Sequence, residues 1–248
     1  MIVRRSRAEI ETMREAGRVT ARALRCVGEA VAAGVTTGDL DDVAVQVIAE
    51  AGARPAFKGY HGFPSTICAS RNSVVVHGIP GKTRLEPGDI ISIDVGAIVE
   101  GYYGDSAATF AVGEIEPETA RLLDATRSSL EAGIRRCVPG MRLYDISAAV
   151  QQVAEGAGFS IVREYVGHGI GRQMHEEPQV PNYGTAGRGP TLQAGMVLAI
   201  EPMVNAGGAA VRQLDDGWTV VTEDGSCSAH FEHTVAITDD GPIVLTLE

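Results

Sequence analysis

The chain has 248 residues, of which 44% are hydrophobic, and its 21 basic and 32 acidic residues give a formal net charge of −11. This composition allows a substantial core and disfavours nucleic acid or an anionic membrane as the main partner. The sequence has no run near the ~20 apolar residues of a membrane span, no apolar signal-peptide core, and four widely spaced cysteines, so we expect a cytoplasmic protein with reduced thiols.

The predicted elements form two similar series along the chain. The first series begins with helices over 6–33 and 38–51, and Ser6 and Glu9 supply a capping box at the start of the first helix. Extended segments follow within 65–70, 73–78, 89–98 and 103–113. The second series starts after Pro117, with helices over 117–136 and 143–157 and further strands to the C-terminus.

A basic cluster, Arg4, Arg5 and Arg7, precedes the first helix. Because Glu9 and Glu11 follow it at once, we interpret the cluster as a solvated helix start and not as a binding patch.

The second series repeats the first. Segment 34–52 aligns with 140–158 at an offset of 106 residues, and six of the aligned positions carry the same residue type. In the strands that follow, Asp94 falls on Glu201 and Asp105 falls on Glu232. The His77-Gly-Ile-Pro frame likewise corresponds to a His-Glu-Glu-Pro frame at His175.

This duplication predicts a fold class. We expect one α+β domain over residues 1–248, built from pseudo-twofold halves of roughly 6–115 and 116–248. Strands of the two halves would form a central antiparallel sheet with the helices packed outside, and each half would deliver two acids to a central site.

Five side chains are suited to binding metal: Asp94, Asp105, His168, Glu201 and Glu232. The four acids lie in or beside apolar strand-like runs, where an unpaired carboxylate is costly to bury and a cation would compensate the charge. The oxygen-rich set suits Mn, Fe(II) or Co better than a tetrahedral structural zinc site. Two bridging carboxylates can hold two ions about 3.5–4 Å apart with a shared hydroxide as nucleophile, a chemistry that hydrolyses amides or phosphoesters.

The first two acids are expected to face each other across a β-hairpin. With Val99 and Glu100 as the central residues of the turn, Asp94 and Asp105 would be directly opposed, with Cβ atoms roughly 4.5–5.5 Å apart. Carboxylates that close repel each other unless they are protonated or bound to metal.

Two other patterns in the sequence could indicate a different site. The glycines flanking His168 in Gly167–Gly171 are similar to part of a dinucleotide-binding loop but lack its full spacing, so we expect them to allow close backbone approach to His168 and a substrate. Cys68 and His77 could form a thiol–imidazole pair, but a cysteine in an apolar strand is usually inert.

Five motifs carry a family resemblance that covers nearly the whole chain: VVHGIP, DIISIDVGAIVEGYYGDSAATF, VGHGIGRQMHEEPQV, LAIEPMV and SAHFEHTVAIT. The chain resembles the bacterial type I methionine aminopeptidases of peptidase family M24, which have the pita-bread fold. The resemblance implies a metalloenzyme that removes the initiator methionine from nascent proteins when the second residue is small.

The resemblance also implies how the metal ligands divide. Asp94 would hold one of two divalent ions and, through it, the substrate amine. Asp105 and Glu232 would bridge the two ions, and His168 and Glu201 would complete the shell of the other.

Three residues would act on the substrate. Glu201 would transfer a proton to or from the attacking water. His175 would contact the scissile amide and help to stabilise the oxyanion, and His77 would bind the substrate near its leaving side.

The methionine pocket is expected to be small and apolar, lined by Tyr60, Phe63, Cys68, Trp218 and Met174. Met174 and Phe63 differ from the aromatic residues that are common at these positions in the family, which leaves the chemistry unchanged and the fine selectivity undetermined.

A weaker implication of the resemblance is a monovalent cation site, for Na or K, at Asn72, Val74 and Ser228.

The expected partner is the N-terminal methionine of nascent polypeptides, bound by a monomer without direct contact to membrane or nucleic acid. The sequence leaves open whether Arg4, Arg5 and Arg7 dock the protein at the ribosome.

Two alternatives to the aminopeptidase differ in what they require. A non-catalytic pita-bread module that binds peptides or nucleic acid would typically lack several ligands, whereas all five are present. An Xaa-Pro dipeptidase of the same fold would carry a separate N-terminal domain and would cleave Ala-Pro rather than Met-Ala.

Overall fold

The computed structural model describes residues 2–248. In this part of the chain the helices are α1 (Arg7–Ala30), α2 (Thr37–Glu50), α3 (Pro117–Ile134) and α4 (Leu143–Gly156), with a short 3₁₀ turn at Tyr60–Gly62. The strands are β1 (Arg54–Pro55), β2 (Ile67–Arg71), β3 (Val74–Val76), β4 (Ile90–Val99), β5 (Tyr102–Ala111), β6 (Ser160–Ile161), β7 (Gly167–Gly169), β8 (Glu176–Val180), β9 (Val197–Ile200), β10 (Met203–Asn205), β11 (Val211–Gln213), β12 (Val220–Thr222), β13 (Ser228–His230), β14 (Glu232–Thr238) and β15 (Gly241–Val244). Among residues 2–248, none of the helices has the length and hydrophobicity needed to cross a membrane.

Local signals set the ends of α1. The Ser6 hydroxyl accepts the Glu9 N–H while the Glu9 carboxylate accepts the Ser6 N–H, which is the predicted capping box. The helix ends earlier than the predicted boundary of 33, because the backbone at Val31 is already extended.

A nine-stranded antiparallel sheet forms the centre of the fold. Its path runs β1-β4-β5-β14-β9-β7-β8, with β2 also paired to β4 and β15 to β14. Two three-stranded sheets, β13-β10-β6 and β11-β12-β3, lie beside it. The predicted α+β class, with a curled antiparallel sheet and helices outside, is confirmed.

The helices approach the sheet closely. A Cβ atom added to Gly104, on β5, would lie 2.7 Å from the backbone nitrogen of Gly17 on α1. Because glycine at position 104 has no Cβ atom, the backbone of β5 can pack on the backbone of α1, and this contact brings α1 onto the strand that carries Asp105.

The predicted duplication is visible in equivalent contacts. Isolated β-bridges join Thr36 to Arg84 in the first half and Arg142 to Thr191 in the second. The core divides in the same way, since Ala44 and Ile93 belong to one buried cluster. Their counterparts Val150 and Ile200 belong to another.

The two halves meet where β5 pairs with β14. The β4–β5 hairpin lies on one side of this seam and β9 on the other. Because Asp105 and Glu232 are carried by the two seam strands, the central site forms where the halves join.

The register predicted for the β4–β5 hairpin is wrong by two residues. Val99 pairs with Tyr102, so the turn residues are Glu100 and Gly101, and both have positive φ, 50° and 78°. A two-residue turn of this kind matches the twist of the strands, and glycine is favoured in it.

The corrected register changes the geometry of the two acids but not their face. Asp94 is opposite Ala107, and Asp105 is opposite Gly96. The acids are therefore diagonal neighbours and not a directly opposed pair. Since side chains alternate with a period of two, a two-residue shift keeps both carboxylates on the same face of the sheet.

The prediction that the whole basic cluster at the N-terminus is solvated is wrong for one of its residues. Arg4 and Arg7 are exposed, but the Arg5 side chain is 8% exposed and forms an ion pair with Glu176. The two residues are 171 positions apart in the sequence, so no local pattern could have predicted this ion pair.

Candidate metal centre

The five predicted ligands come from five different strands or strand ends and line one cavity. Asp94 lies in β4, Asp105 in β5, His168 in β7, and Glu232 at the start of β14, while Glu201 follows β9 directly. The structure therefore brings together side chains that are up to 138 positions apart in the sequence.

Hydrogen bonds across the seam fix the two central acids. The Asp105 N–H donates to the Thr234 hydroxyl at 3.0 Å, and that hydroxyl donates to the Asp105 carbonyl oxygen at 2.8 Å. The Ser106 hydroxyl donates to the Glu232 carbonyl oxygen at 2.7 Å. The backbones of both acids are thus held by side chains of the neighbouring strand.

The ligand atoms lie within reach of a common ion. One oxygen each of Asp105 and Glu232 and a ring nitrogen of His168 lie within 4.8 Å of one another. The Nε2 atom of His168 is 3.8 Å from Asp105 Oδ2 and 3.4 Å from Glu201 Oε1. Asp94 falls outside this tight group but lines the same cavity.

The carboxylates of the site are buried close together and would repel one another if all were ionised. Burial, followed by the nearby carboxylates of Glu232 and Asp94, raises the pKa of Asp105 well above its usual value. Burial and neighbouring carboxylates also raise the pKa values of Glu201 and Glu232 well above the usual value. Burial raises the pKa of Asp94 to about 7.

The buried carboxylate oxygens of the site are suited to binding divalent metal ions. Buried oxygen atoms of three of the acids have no hydrogen-bond partner among residues 2–248: Asp94 Oδ1, Asp105 Oδ1 and Glu232 Oε1. Orphaned buried acceptors are costly, and clustered carboxylates repel each other. Divalent cations would remove both penalties, and the carboxylate-rich donor set suits hard or borderline ions.

His168 is prepared as a neutral ligand. Its Nδ1 atom is 2.9 Å from the Gly169 carbonyl oxygen, an arrangement that places the proton on Nδ1 and leaves Nε2 as the lone-pair nitrogen. Burial, and then the nearby His175, lowers the pKa of His168 to about 3.

All the residues predicted for the methionine pocket line the same cavity, which has a volume of about 210 Å³: Tyr60, Phe63, Cys68, Met174 and Trp218. Phe63 and Trp218 form an edge-to-face pair with ring centroids 5.1 Å apart. The volume is below the ~300–1,000 Å³ typical of pockets for drug-sized ligands, so the cavity suits one side chain.

Two further lining residues, Phe57 and His61, were not predicted. Both belong to the irregular segment between β1 and β2, where no periodic pattern marks which side chains face inward.

His77 and His175 reach the cavity from equivalent frames in the two halves. The Tyr60 hydroxyl lies 2.8 Å from His175 Nδ1. His77 has a positive φ of 60°, a conformation that is rare for residues other than glycine and that clusters at functional sites. Burial lowers the pKa values of both rings, that of His77 to about 4.

A further histidine beside the site, His230, was not predicted. Its Nε2 atom is 3.7 Å from Glu201 Oε2 and has no hydrogen-bond partner among the described residues. His230, Glu201 and Glu232 also present ligand atoms within 4.8 Å of one another. The available signal was the two-residue spacing of His230 and Glu232 in an extended segment, which places both on one face.

The residues predicted for a monovalent cation do not line the cavity of the five predicted ligands. The Ser228 N–H donates to the Asn72 carbonyl oxygen at 2.8 Å, and Val74 pairs with Val221. The side-chain amide of Asn72 is engaged by Asp89 and by the Ile90 N–H. The cation itself stays a prediction.

Comparison with known proteins decides the family. The sequence profile described as "Metallopeptidase family M24" matches residues 11–239. The chain belongs to metallopeptidase family M24. This membership confirms the family resemblance inferred from the motifs, and it agrees with the buried cluster of acids and histidine at the seam.

Within family M24, named relatives match this chain over its full length. A methionine aminopeptidase of Clostridium acetobutylicum is 54% identical over 248 residues, which is 100% of this chain and 99% of the relative. A crystal structure of a methionine aminopeptidase from Thermotoga maritima has a TM-score of 0.99 and 47% identity, with 100% of both chains covered. A prolidase from Pyrococcus furiosus, at 21% identity and a TM-score of 0.80, covers 99% of this chain and shows the shared fold alone.

Proposed function

We propose that this chain is a metal-dependent aminopeptidase that removes the N-terminal methionine from nascent polypeptides. One observation carries the proposal: a small apolar pocket ends on a cluster of buried acids and a neutral histidine. The pocket can take one side chain, and the cluster can take divalent cations. The methionine aminopeptidases that match this chain over its whole length support the same activity.

Five residues of the cavity would hold two divalent ions: Asp94 would contribute to one, His168 and Glu201 to the other, and Asp105 and Glu232 to both. When bound, Mn, Fe(II) or Co ions would polarise the scissile carbonyl group and lower the pKa of water.

The pocket explains why the enzyme would act on a terminal residue. Phe63 and Trp218 form an apolar wall, and Met174, which is 3% exposed, packs in the same buried cluster as Phe63. A methionine side chain in this space would bring its own α-amine to the ion that Asp94 would hold. A peptide whose amine is acetylated would lack the lone pair needed to bind there.

His175 is placed to stabilise the oxyanion. If the Tyr60 hydroxyl donates to Nδ1 across the 2.8 Å contact, the neutral ring must carry its proton on Nε2. A neutral Nε2–H can donate to a developing oxyanion. Tyr60 is then the residue that fixes the tautomer.

Glu201 is the proposed proton carrier. Burial and the charges of Asp105 and Asp94 raise its pKa, so its carboxylate accepts a proton more readily than a solvated one does. It could take a proton from the attacking water and return it to the leaving amine. His77 would bind the substrate beyond the scissile bond.

We further propose that the protein acts as a monomer in the cytoplasm, where nascent chains are available.

The test is cleavage of Met-Ala-Ser by protein supplied with Mn²⁺ or Co²⁺. We expect release of methionine by the native chain and its loss in Asp105→Ala. An Asp89→Asn variant is the matched control, because the carboxylate of Asp89 pairs with Arg71 outside the cavity. Full activity of Asp105→Ala, or cleavage of Ala-Pro in preference to Met-Ala-Ser, would contradict the proposal.

A further inference from the structure

The segment between β7 and β8 carries two residues of the proposed site. Gly171, Arg172 and Gln173 form a tight turn in which the Gly171 N–H donates to the Gln173 carbonyl oxygen at 3.2 Å. Met174, in the methionine pocket, and His175 follow directly. The position of both side chains therefore depends on how this turn, residues 171–175, is held.

The carboxylate of Glu176 organises the turn from one side. Its Oε1 atom accepts the Arg172 N–H at 2.9 Å and the Gln173 N–H at 3.1 Å. Two backbone N–H groups that would otherwise lack partners are thereby satisfied. The carboxylate itself is 12% exposed, so its charge needs compensation.

Arg5 supplies that compensation from the opposite end of the chain. Its Nη2 atom is 2.5 Å from each oxygen of Glu176, and its side chain is 8% exposed. Its backbone N–H donates to the Gly195 carbonyl oxygen at 2.7 Å. A Cβ atom on Gly171 would lie 2.1 Å from the guanidinium, so the group packs directly against the turn.

The surrounding contacts make Arg5 a poor candidate for an ordinary surface pair. An exposed ion pair contributes little to stability, whereas losing one partner of a buried pair leaves an uncompensated charge. The other charged partner of Arg5 within 4.0 Å among residues 2–248 is Glu9, at 3.9 Å. Without Arg5, the Glu176 carboxylate would need water, and the turn would have to open to admit it.

We propose that Arg5 is a positioning residue of the active site, which holds the 171–175 turn through Glu176 and so places His175 and Met174 against the substrate. Arg5 then supports the active site although it does not touch the reacting atoms. Val3, two residues earlier, lines a groove that also includes His168 and His175, which places the same segment beside the site. The inference rests on the proposed function for the role of His175.

The experiment compares Arg5→Met, Arg5→Lys and the matched control Arg4→Met, each with Mn²⁺ and Met-Ala-Ser. Arg4 is exposed and donates from Nε to the Ala194 carbonyl oxygen, so the control removes the same charge from the same segment. We expect Arg5→Met to lower kcat about 10- to 100-fold, as a small misplacement of a catalytic group does. Arg5→Lys should recover part of this loss of kcat. Arg4→Met should stay within about 2-fold of the native kcat, because substitutions of exposed residues usually have small effects.

Two readouts separate positioning from general damage. Hydrogen exchange of the Arg172 and Gln173 amides should accelerate in Arg5→Met. The Mn²⁺ affinity measured by calorimetry should stay within about 2-fold of the native value, because Arg5 pairs with Glu176 and Glu9 and not with a proposed metal ligand. Native kcat together with native amide protection in Arg5→Met would overturn the proposal, as would a loss of activity that follows a loss of metal affinity. If the native protein fails to cleave Met-Ala-Ser, the proposed function fails, while amide exchange still tests whether Arg5 holds the 171–175 turn.

Discussion

Replacing Asp105 by asparagine should make the metal-free protein more stable and the metal-loaded protein less stable than the native chain. Asp105 is 3% exposed, its Oδ1 atom has no hydrogen-bond partner among residues 2–248, and Glu232 and Asp94 lie close enough to raise its pKa. Asparagine keeps the shape of the side chain and removes the charge. In the absence of a cation, that change relieves repulsion.

The magnitude follows from the burial. An uncompensated buried charge costs about 3–5 kcal/mol, and part of this, about 1–3 kcal/mol, should be recovered in Asp105→Asn with EDTA present. For a chain of this size that corresponds to a rise in Tm of about 2–12 °C. With Mn²⁺ at about 1,000 times its Kd, the native protein should gain about 4.1 kcal/mol and the variant much less, so the order of stability should invert.

The sign of the pH dependence gives a second check. Burial raises the folded-state pKa of Asp105 above the unfolded value. The metal-free protein therefore suffers no penalty below the unfolded pKa of ~3.9, and the penalty grows as the pH rises toward the folded pKa. The advantage of Asp105→Asn in EDTA should shrink as the pH is lowered.

Differential scanning calorimetry with EDTA and with Mn²⁺ measures both effects. Asp89→Asn is the control, because Asp89 accepts hydrogen bonds from Arg71, Asn72 and the Glu86 N–H, and its loss should destabilise the protein equally in both conditions. The reasoning is refuted if Asp105→Asn behaves like Asp89→Asn, or if Mn²⁺ stabilises Asp105→Asn as much as it stabilises the native chain.

Two further predictions concern the pocket and the packing of the sheet. Trp218 is the single tryptophan and is half-buried beside Phe63. L-methionine added with Mn²⁺ should therefore exclude water from this ring and shift its fluorescence to the blue, whereas L-glutamate should not. Equal shifts with both amino acids would argue against an apolar pocket at this ring. Gly104→Ala should lower the free energy of unfolding, measured by urea denaturation, by about 1–3 kcal/mol, because the added Cβ would lie 2.7 Å from the backbone of α1. Gly81→Ala should have a much smaller effect, because no atom lies within 4 Å of the added Cβ there.

The parts of the fold that were predicted depend on local or repeated signals. The Ser6–Glu9 capping box acts over one helical turn, and the repeat, at an offset of 107 residues in these strands, placed Asp94 and Glu201 in equivalent positions. The acids were recognisable because a carboxylate in an apolar strand needs a compensating partner. These signals are contained in short stretches of sequence.

The parts that were not predicted depend on contacts between distant segments or on turn conformation. The hairpin register depends on the positive φ values of Glu100 and Gly101, which the strands alone do not determine. The burial of Arg5 depends on Glu176, a partner 171 positions away. His230 was overlooked although its spacing from Glu232 was informative, because its role emerges only beside Glu201.

The most direct test of the account is the cleavage of a Met-X peptide series after all metal has been removed and single ions have been restored. We expect no release of methionine from the metal-free protein, and recovery with Mn²⁺, Co²⁺ or Fe²⁺ for Met-Ala and Met-Gly peptides but not for Met-Leu or for Nα-acetylated Met-Ala. Hydrolysis by the metal-free protein, or equal hydrolysis of the acetylated peptide, would contradict a metal centre that recognises a terminal methionine.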